Sequence, residues 1–352
     1  MMDLAAYFSP DYVTARDRFR RLAAERGAAG DVLPICGDDL TADAATFGDV
    51  GAAKVIVASS GLHGAEGFFG SAVQLAWLDA LSPGWRPPAG VAVVLLHALN
   101  PFGFAHVRRG NEDGVDLHRN FLRPGEEYRG CPVLYADLDP LLNPPRPPRF
   151  DFFCPRMYLA RFRHGSRALR GAIAAGQYEY PKGLFFGGHS PSATMRAFEA
   201  YLPRWLDPAE RVLHLDFHTG LGTYASHRIL SSQPTASASA ERLRSLYGSA
   251  VETLDTGATA YSCRGSIDEW VEHRWAGRTV DSVCAEFGTY GPLAVLAAAR
   301  AENQAHHWSN DPMVKARTKQ RMAEAFAPAD PVWRQAVVRQ GVDLIRRACD
   351  GV

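Results

Sequence analysis

Residues 54–67 read KVIVASSGLHGAEG. After Lys54 the next five are β-branched or small and the run ends at Ser-Gly, which suits a buried strand leaving a sheet. Apolar residues at helical spacing follow (Phe68, Phe69, Val73, Leu75, Leu78) and close at Ser-Pro-Gly, so a helix is expected over 65–81. The same rhythm recurs. GVAVVLLHAL at 90–99, RVLHLDF at 211–217 and TVDSVCAE at 279–286 read as three more strands, the last followed by a helix over 292–308. Strands bracketing helices in this way predict an α/β fold: one mixed, mostly parallel sheet with helices on both faces. Sheets of that kind keep their sites at the carboxyl ends of the strands.

The rest of the chain fits around that sheet. A helix is expected over 10–26. Between Leu122 and Pro155 lie eight prolines, including NPPRPP at 143–148, which predict a long irregular excursion. A helix over 156–175 and the Gly-rich FFGGHS at 185–190 follow. Residues 122–190 therefore read as an insertion covering one side of the sheet within a single domain spanning 1–352.

Composition bounds the chemistry. The 352 residues carry 38 Lys and Arg against 38 Asp and Glu, so a broad basic footprint for nucleic acid is excluded while a local charged pocket is not. The apolar runs are too short to span a bilayer. The first residues carry no apolar signal core, so a soluble, cytoplasmic protein without a membrane partner is expected. Six cysteines are scattered with no CxxC pair, so a metal site would need His and carboxylate ligands.

The strand exits supply such groups. At the first, His63 and Glu66 are three residues apart among Gly61, Gly64 and Gly67, and both could face one cation. A first-turn Glu that merely favours the helix dipole would look the same. At the third, Asp216 and His218 face the same way along a strand, so Asp216 is expected to orient the His218 imidazole. The second leads into NPFGFAHVRRGNEDGVDLHRNF at 100–121, where arginines could clamp a carboxylate or lie on a solvated surface. The fourth ends in Glu286, a carboxylate that burial would penalise without a partner. It could serve as a general base or as one half of a structural ion pair.

HxxE, NPxGF, DLxRNF, DxHTG and a strand-end Glu, in this order, resemble the zinc carboxypeptidase family. They are most similar to a bacterial branch marked by HGAEG, DLxRNF, DFHTGLG and AEFGTYGP. The resemblance implies one Zn2+ held by His63, Glu66 and His218. It also implies Glu286 as general base, Arg109 as oxyanion stabiliser, and Arg119 on the substrate's terminal carboxylate. His118 stands where the family usually has Asn, and Tyr261 is the nearest match to a mobile-loop tyrosine. The implied activity is hydrolysis of an amide bond in a peptide or small-molecule substrate with a free carboxylate. Two rivals stand beside it: a deacylase of small N-acyl amino acids, similar to aspartoacylase and succinylglutamate desuccinylase, and a non-catalytic binding protein on the same fold.

Overall fold

The computed structural model describes residues 3–255 and 263–351. Its strands are β1 (Ala29–Cys36), β2 (Leu40–Phe47), β3 (Lys54–Ser60), β4 (Val91–His97), β5 (Arg211–Tyr224), β6 (His227–Ser231), β7 (Val251–Thr253) and β8 (Thr279–Gly288). They form one sheet in the order β1-β2-β4-β3-β5-β8-β6-β7. The four strands read from the sequence are the parallel centre, β4-β3-β5-β8, and the antiparallel pairings lie outside it.

Parity along β5 explains both the core and the site. Leu213, Leu215 and Phe217 point into an apolar layer with Val73 of the helix Gly67–Ala80 and Trp333 and Val337 of the helix Pro331–Gly351. Burying each such side chain is worth roughly 1.5–3 kcal/mol, which fixes the strand's facing. A strand alternates its side chains, so His214, Asp216 and His218 are committed to the opposite face. A one-residue slip would exchange the two sets, and the apolar layer forbids it.

Three expectations need correction. The outer hairpin β1–β2 was not foreseen, because β1 is largely exposed or half-exposed and carries little apolar alternation. The helix expected over 156–175 is two, Phe153–His164 and Ser166–Ala174, divided at Gly165, whose φ of +80° disfavours any residue with a Cβ. The Pro-rich excursion also contains a helix, Val133–Leu142, with Pro140 inside it. Tyr135, Leu138, Leu141 and Leu142 recur at helical spacing and bury their side chains, so packing prevails over the breaker.

Candidate metal centre

The strand exits converge because two turns touch. The Gly64 and Ala65 N–H groups donate to the carbonyls of Arg109 (3.3 Å) and Arg108 (2.8 Å), pinning the loop after β4 against the turn after β3. Contact is so close that a Cβ on Gly64 would lie 2.0 Å from the Gly103 carbonyl carbon. Glycine is required there by space, and the turn it permits sets His63 beside Arg109.

Two imidazoles then meet one carboxylate. His63 Nδ1 lies 2.8 Å from Glu66 Oε1, and His218 Nδ1 lies 3.1 Å from Glu66 Oε2. Each ring turns its other nitrogen to a second carboxylate: His63 Nε2 is 3.0 Å from Asp116 Oδ1, and His218 Nε2 is 2.5 Å from Asp216 Oδ2. A proton kept on Nε2 by a carboxylate leaves the Nδ1 lone pair for a cation. Ligand atoms of His63, Glu66 and His218 all lie within 4.8 Å of one another, and all three residues are buried. This donor set, two imidazoles and one carboxylate, fits a zinc-type divalent ion.

Electrostatics fit the same reading. Burial alone would raise the Glu66 carboxyl, yet His63 and His218 hold it far below the ordinary carboxylate range. Burial works against a charged His218, but Asp216 and Glu66 pull it well above the usual imidazole value. A cation in the cluster would take the place of that proton. Glu286 goes the other way: burial, reinforced by Glu66, pushes it up to about 7. Its Oε1 accepts the Leu221 N–H at 2.8 Å. A second group, His218, Cys284 and Glu286, also gathers ligand atoms within 4.8 Å. Burial and Glu286 push the Cys284 thiol well above its ordinary value, and a protonated thiol is a poor ligand. The first cluster is the better candidate.

His63, Glu66, Arg109, His118, His218 and Glu286 all line one cavity of about 890 Å³. Arg109 donates from Nε to Asp116 Oδ2 (2.7 Å), and its Nη2 lies 2.8 Å from His63 Nε2. That second contact suits an unprotonated Nε2, so it and the metal-binding tautomer of His63 exclude each other. His118 packs edge-on against His63 and His218, with ring centroids at 5.9 and 5.4 Å. Burial and then Arg119 keep it well below the ordinary imidazole value, so it is neutral, and its Nδ1 has no partner among the described residues.

Arg119 is not brought to the cavity. It is fully buried, outside the lining residues, with Nη1 donating to the His118 carbonyl at 2.8 Å. Its side chain packs so tightly on Gly176 that a Cβ there would meet its Cδ at 2.5 Å. Arg161 and Arg170, on the two helices after the Pro-rich stretch, face the cavity instead. Tyr261 lies outside the described residues. His97 turns away, stacked on Phe19 at 4.6 Å and bonded to Ser71. Two residues were missed from the sequence: Asp116, although it opens the DLHRNF motif, and Asp268, a cavity-lining carboxylate that burial and Asp216 push up to about 7.

The sheet and the helices around it are similar in fold to solved structures that include a candidate carboxypeptidase. Bovine thrombin-activatable fibrinolysis inhibitor, solved with tick carboxypeptidase inhibitor, is similar over 98% of both chains at TM-score 0.54 and 9% identity. A candidate carboxypeptidase of Burkholderia mallei ATCC 23344 is similar over 98% of this chain and 70% of its own, at TM-score 0.51 and 10% identity. A candidate metallopeptidase of Shewanella amazonensis SB2B is 18% identical over 85% of this chain and 94% of its own, at TM-score 0.46. Residues 8–340 match the family described as "Protein of unknown function (DUF2817)", and the chain belongs to it. No curated protein matches.

Proposed function

We propose that this protein is a zinc-dependent hydrolase that cleaves an amide bond next to a carboxylate, in the manner of a carboxypeptidase. The observation that carries the reading is the approach of His63 Nδ1 and His218 Nδ1 to the two oxygens of Glu66, in a cavity that also holds Glu286. The chemistry such an ion supplies when bound is polarisation of the substrate carbonyl and acidification of water. Glu286 accepts the proton of the attacking water and returns it to the leaving nitrogen. Its elevated affinity for protons suits both transfers. Arg109, anchored on Asp116, stabilises the developing oxyanion once His63 holds its proton on Nε2. His118 offers a neutral hydrogen-bonding group beside the reacting atoms.

The substrate's free carboxylate is assigned to Arg161 and Arg170, whose side chains face the cavity, and Arg119 is assigned the support of His118. A guanidinium sealed from the cavity cannot clamp a carboxylate bidentately. Metal analysis of the purified protein, together with assays on C-terminal peptides and N-acyl amino acids, tests this. One equivalent of zinc and release of C-terminal residues are expected. Preference for N-acyl amino acids would point to the deacylase, and zinc binding without any turnover would point to a binding protein. A protein without zinc would remove the reading altogether.

A further inference from the structure

Residues 146–170 carry seven arginines against one acid, Asp151, in a chain with zero net charge. The helix Phe153–His164 inside this stretch buries Phe153, Met157 and Ala160. Its opposite side is apolar too: Tyr158 is 60% exposed, Leu159 47% and Phe162 89%. At 3.6 residues per turn these three fall within an arc of roughly 100° facing away from the buried set. Phe150 and Phe152, 82% and 61% exposed, precede the helix with their rings 4.6 Å apart. Arg156 and Arg163, both exposed, lie between the inner and outer stripes, while Arg161 is turned to the cavity. Single exposed apolar residues are ordinary, but five within thirteen positions form a patch.

We propose that the edge formed by residues 150–163 docks onto an anionic lipid surface. Aromatic and leucine side chains flanked by guanidiniums match the boundary of acyl chains and phosphate headgroups, where the rings enter the apolar layer and the arginines meet the anions. Pairing with a second copy about a two-fold axis would set one arginine-rich edge against another. Single-stranded nucleic acid calls for a groove that tracks its backbone, whereas this stripe lies on the outside of a helix. No helix among the described residues is long and apolar enough to cross a membrane. Met157, Tyr158, Leu169 and Ile173, on this helix and the next, line the cavity, so Tyr158 stands where the docked edge meets the cavity wall, and Leu159 and Phe162 are the residues that face outward alone.

Sedimentation of the full-length protein with vesicles of phosphatidylcholine alone, or mixed with phosphatidylglycerol, tests the proposal without reference to hydrolysis. Binding at least about ten-fold tighter to the mixed vesicles is expected, weakening as salt is raised. The triple variant Tyr158→Ser, Leu159→Ser, Phe162→Ser should lose about ten-fold or more of that binding while keeping the wild-type melting temperature, because all three side chains are exposed. Arg156→Gln with Arg163→Gln should reduce the salt-sensitive part. Equal binding to both vesicles, or a triple variant that binds like wild type, would overturn the proposal. So would a wild-type dimer that the triple variant abolishes in sedimentation velocity, or vesicle binding lost to competing single-stranded RNA.

Discussion

Behind His63 stands Asp116, 53 residues away on a loop, and behind His218 stands Asp216, two residues back on the same strand. The two arms bring the same ring atom to the same carboxylate, but their supports differ. Asp116 is shared with a cation: burial would raise it, and Arg109, His63 and Arg119 hold it well below the ordinary range. Among the described residues, Asp216 has no arginine or lysine partner. It accepts the Ser59 hydroxyl at 2.6 Å, and Ser59 Oγ lies 2.8 Å from His214 Nε2. One arm therefore ties the proposed metal ligand to the group proposed for the oxyanion. The other ties it to the sheet. Orientation is supplied in both, but in the proposed mechanism only the His63 arm joins metal binding to substrate handling.

The largest effects come from breaking either arm at the ligand. His63→Ala or His218→Ala should each lower zinc affinity by about a hundred-fold or more and abolish turnover, read by metal analysis and amide hydrolysis. Stoichiometric zinc in either variant would refute the ligand assignment. Glu286→Gln should keep the metal and lose about 10²–10⁴ in kcat. If the metal is lost with the activity, Glu286 is a ligand and not a base.

The comparison sharpens at the carboxylates. Asp216→Asn and Asp116→Asn should each weaken zinc by about 10–100-fold. At saturating zinc, Asp216→Asn should recover most of kcat, while Asp116→Asn should remain impaired because Arg109 has lost its anchor. Full recovery of both would show the arms to be equivalent.

The smallest expected effect lies at Asp268. Its carboxyl is raised in the folded protein to about 7 from an ordinary value of 3.8, so the folded state holds the proton more tightly than the unfolded chain. The sign follows: this group penalises folding increasingly as pH rises from about 4 to 7, and fully above that. In the metal-free protein, Asp268→Asn should raise the melting temperature by about 2–4 °C more at pH 8 than at pH 5. An equal gain at both values would show that the carboxyl is not held protonated.

These expectations differ in how far the sequence alone supports them. Asp216 was legible because side chains two apart on a strand face together, which needs only the strand assignment. His63 and Glu66 were legible because a turn and a first helical turn keep them close. Asp116 was quoted within its motif and still passed over, since its partners depend on the loop after β4 folding back onto the turn after β3. That contact is set by the fit of Gly64 against Gly103, which spacing does not encode. Arg119 lies outside the cavity lining for the complementary reason. A motif fixes where a residue stands in the chain, and packing against Gly176 decides which way its side chain leaves. The hairpin β1–β2 was invisible because its outer strand has little apolar pattern to read.

The sheet carries one further consequence. The Asp216–Ser59–His214 contacts continue from His214 Nδ1 to Ser282 Oγ at 2.8 Å, and Ser282 Oγ lies 3.2 Å from Asp268 Oδ1. Three strands and one helix are joined in a single line of donors and acceptors from the cavity wall to the back of a proposed metal ligand. Reversing one donor obliges its neighbours to reverse as well, so substitutions along this line should be strongly non-additive. Descendants of this sequence would be expected to change these positions together or not at all, and a single tolerated change would mark where the line ends.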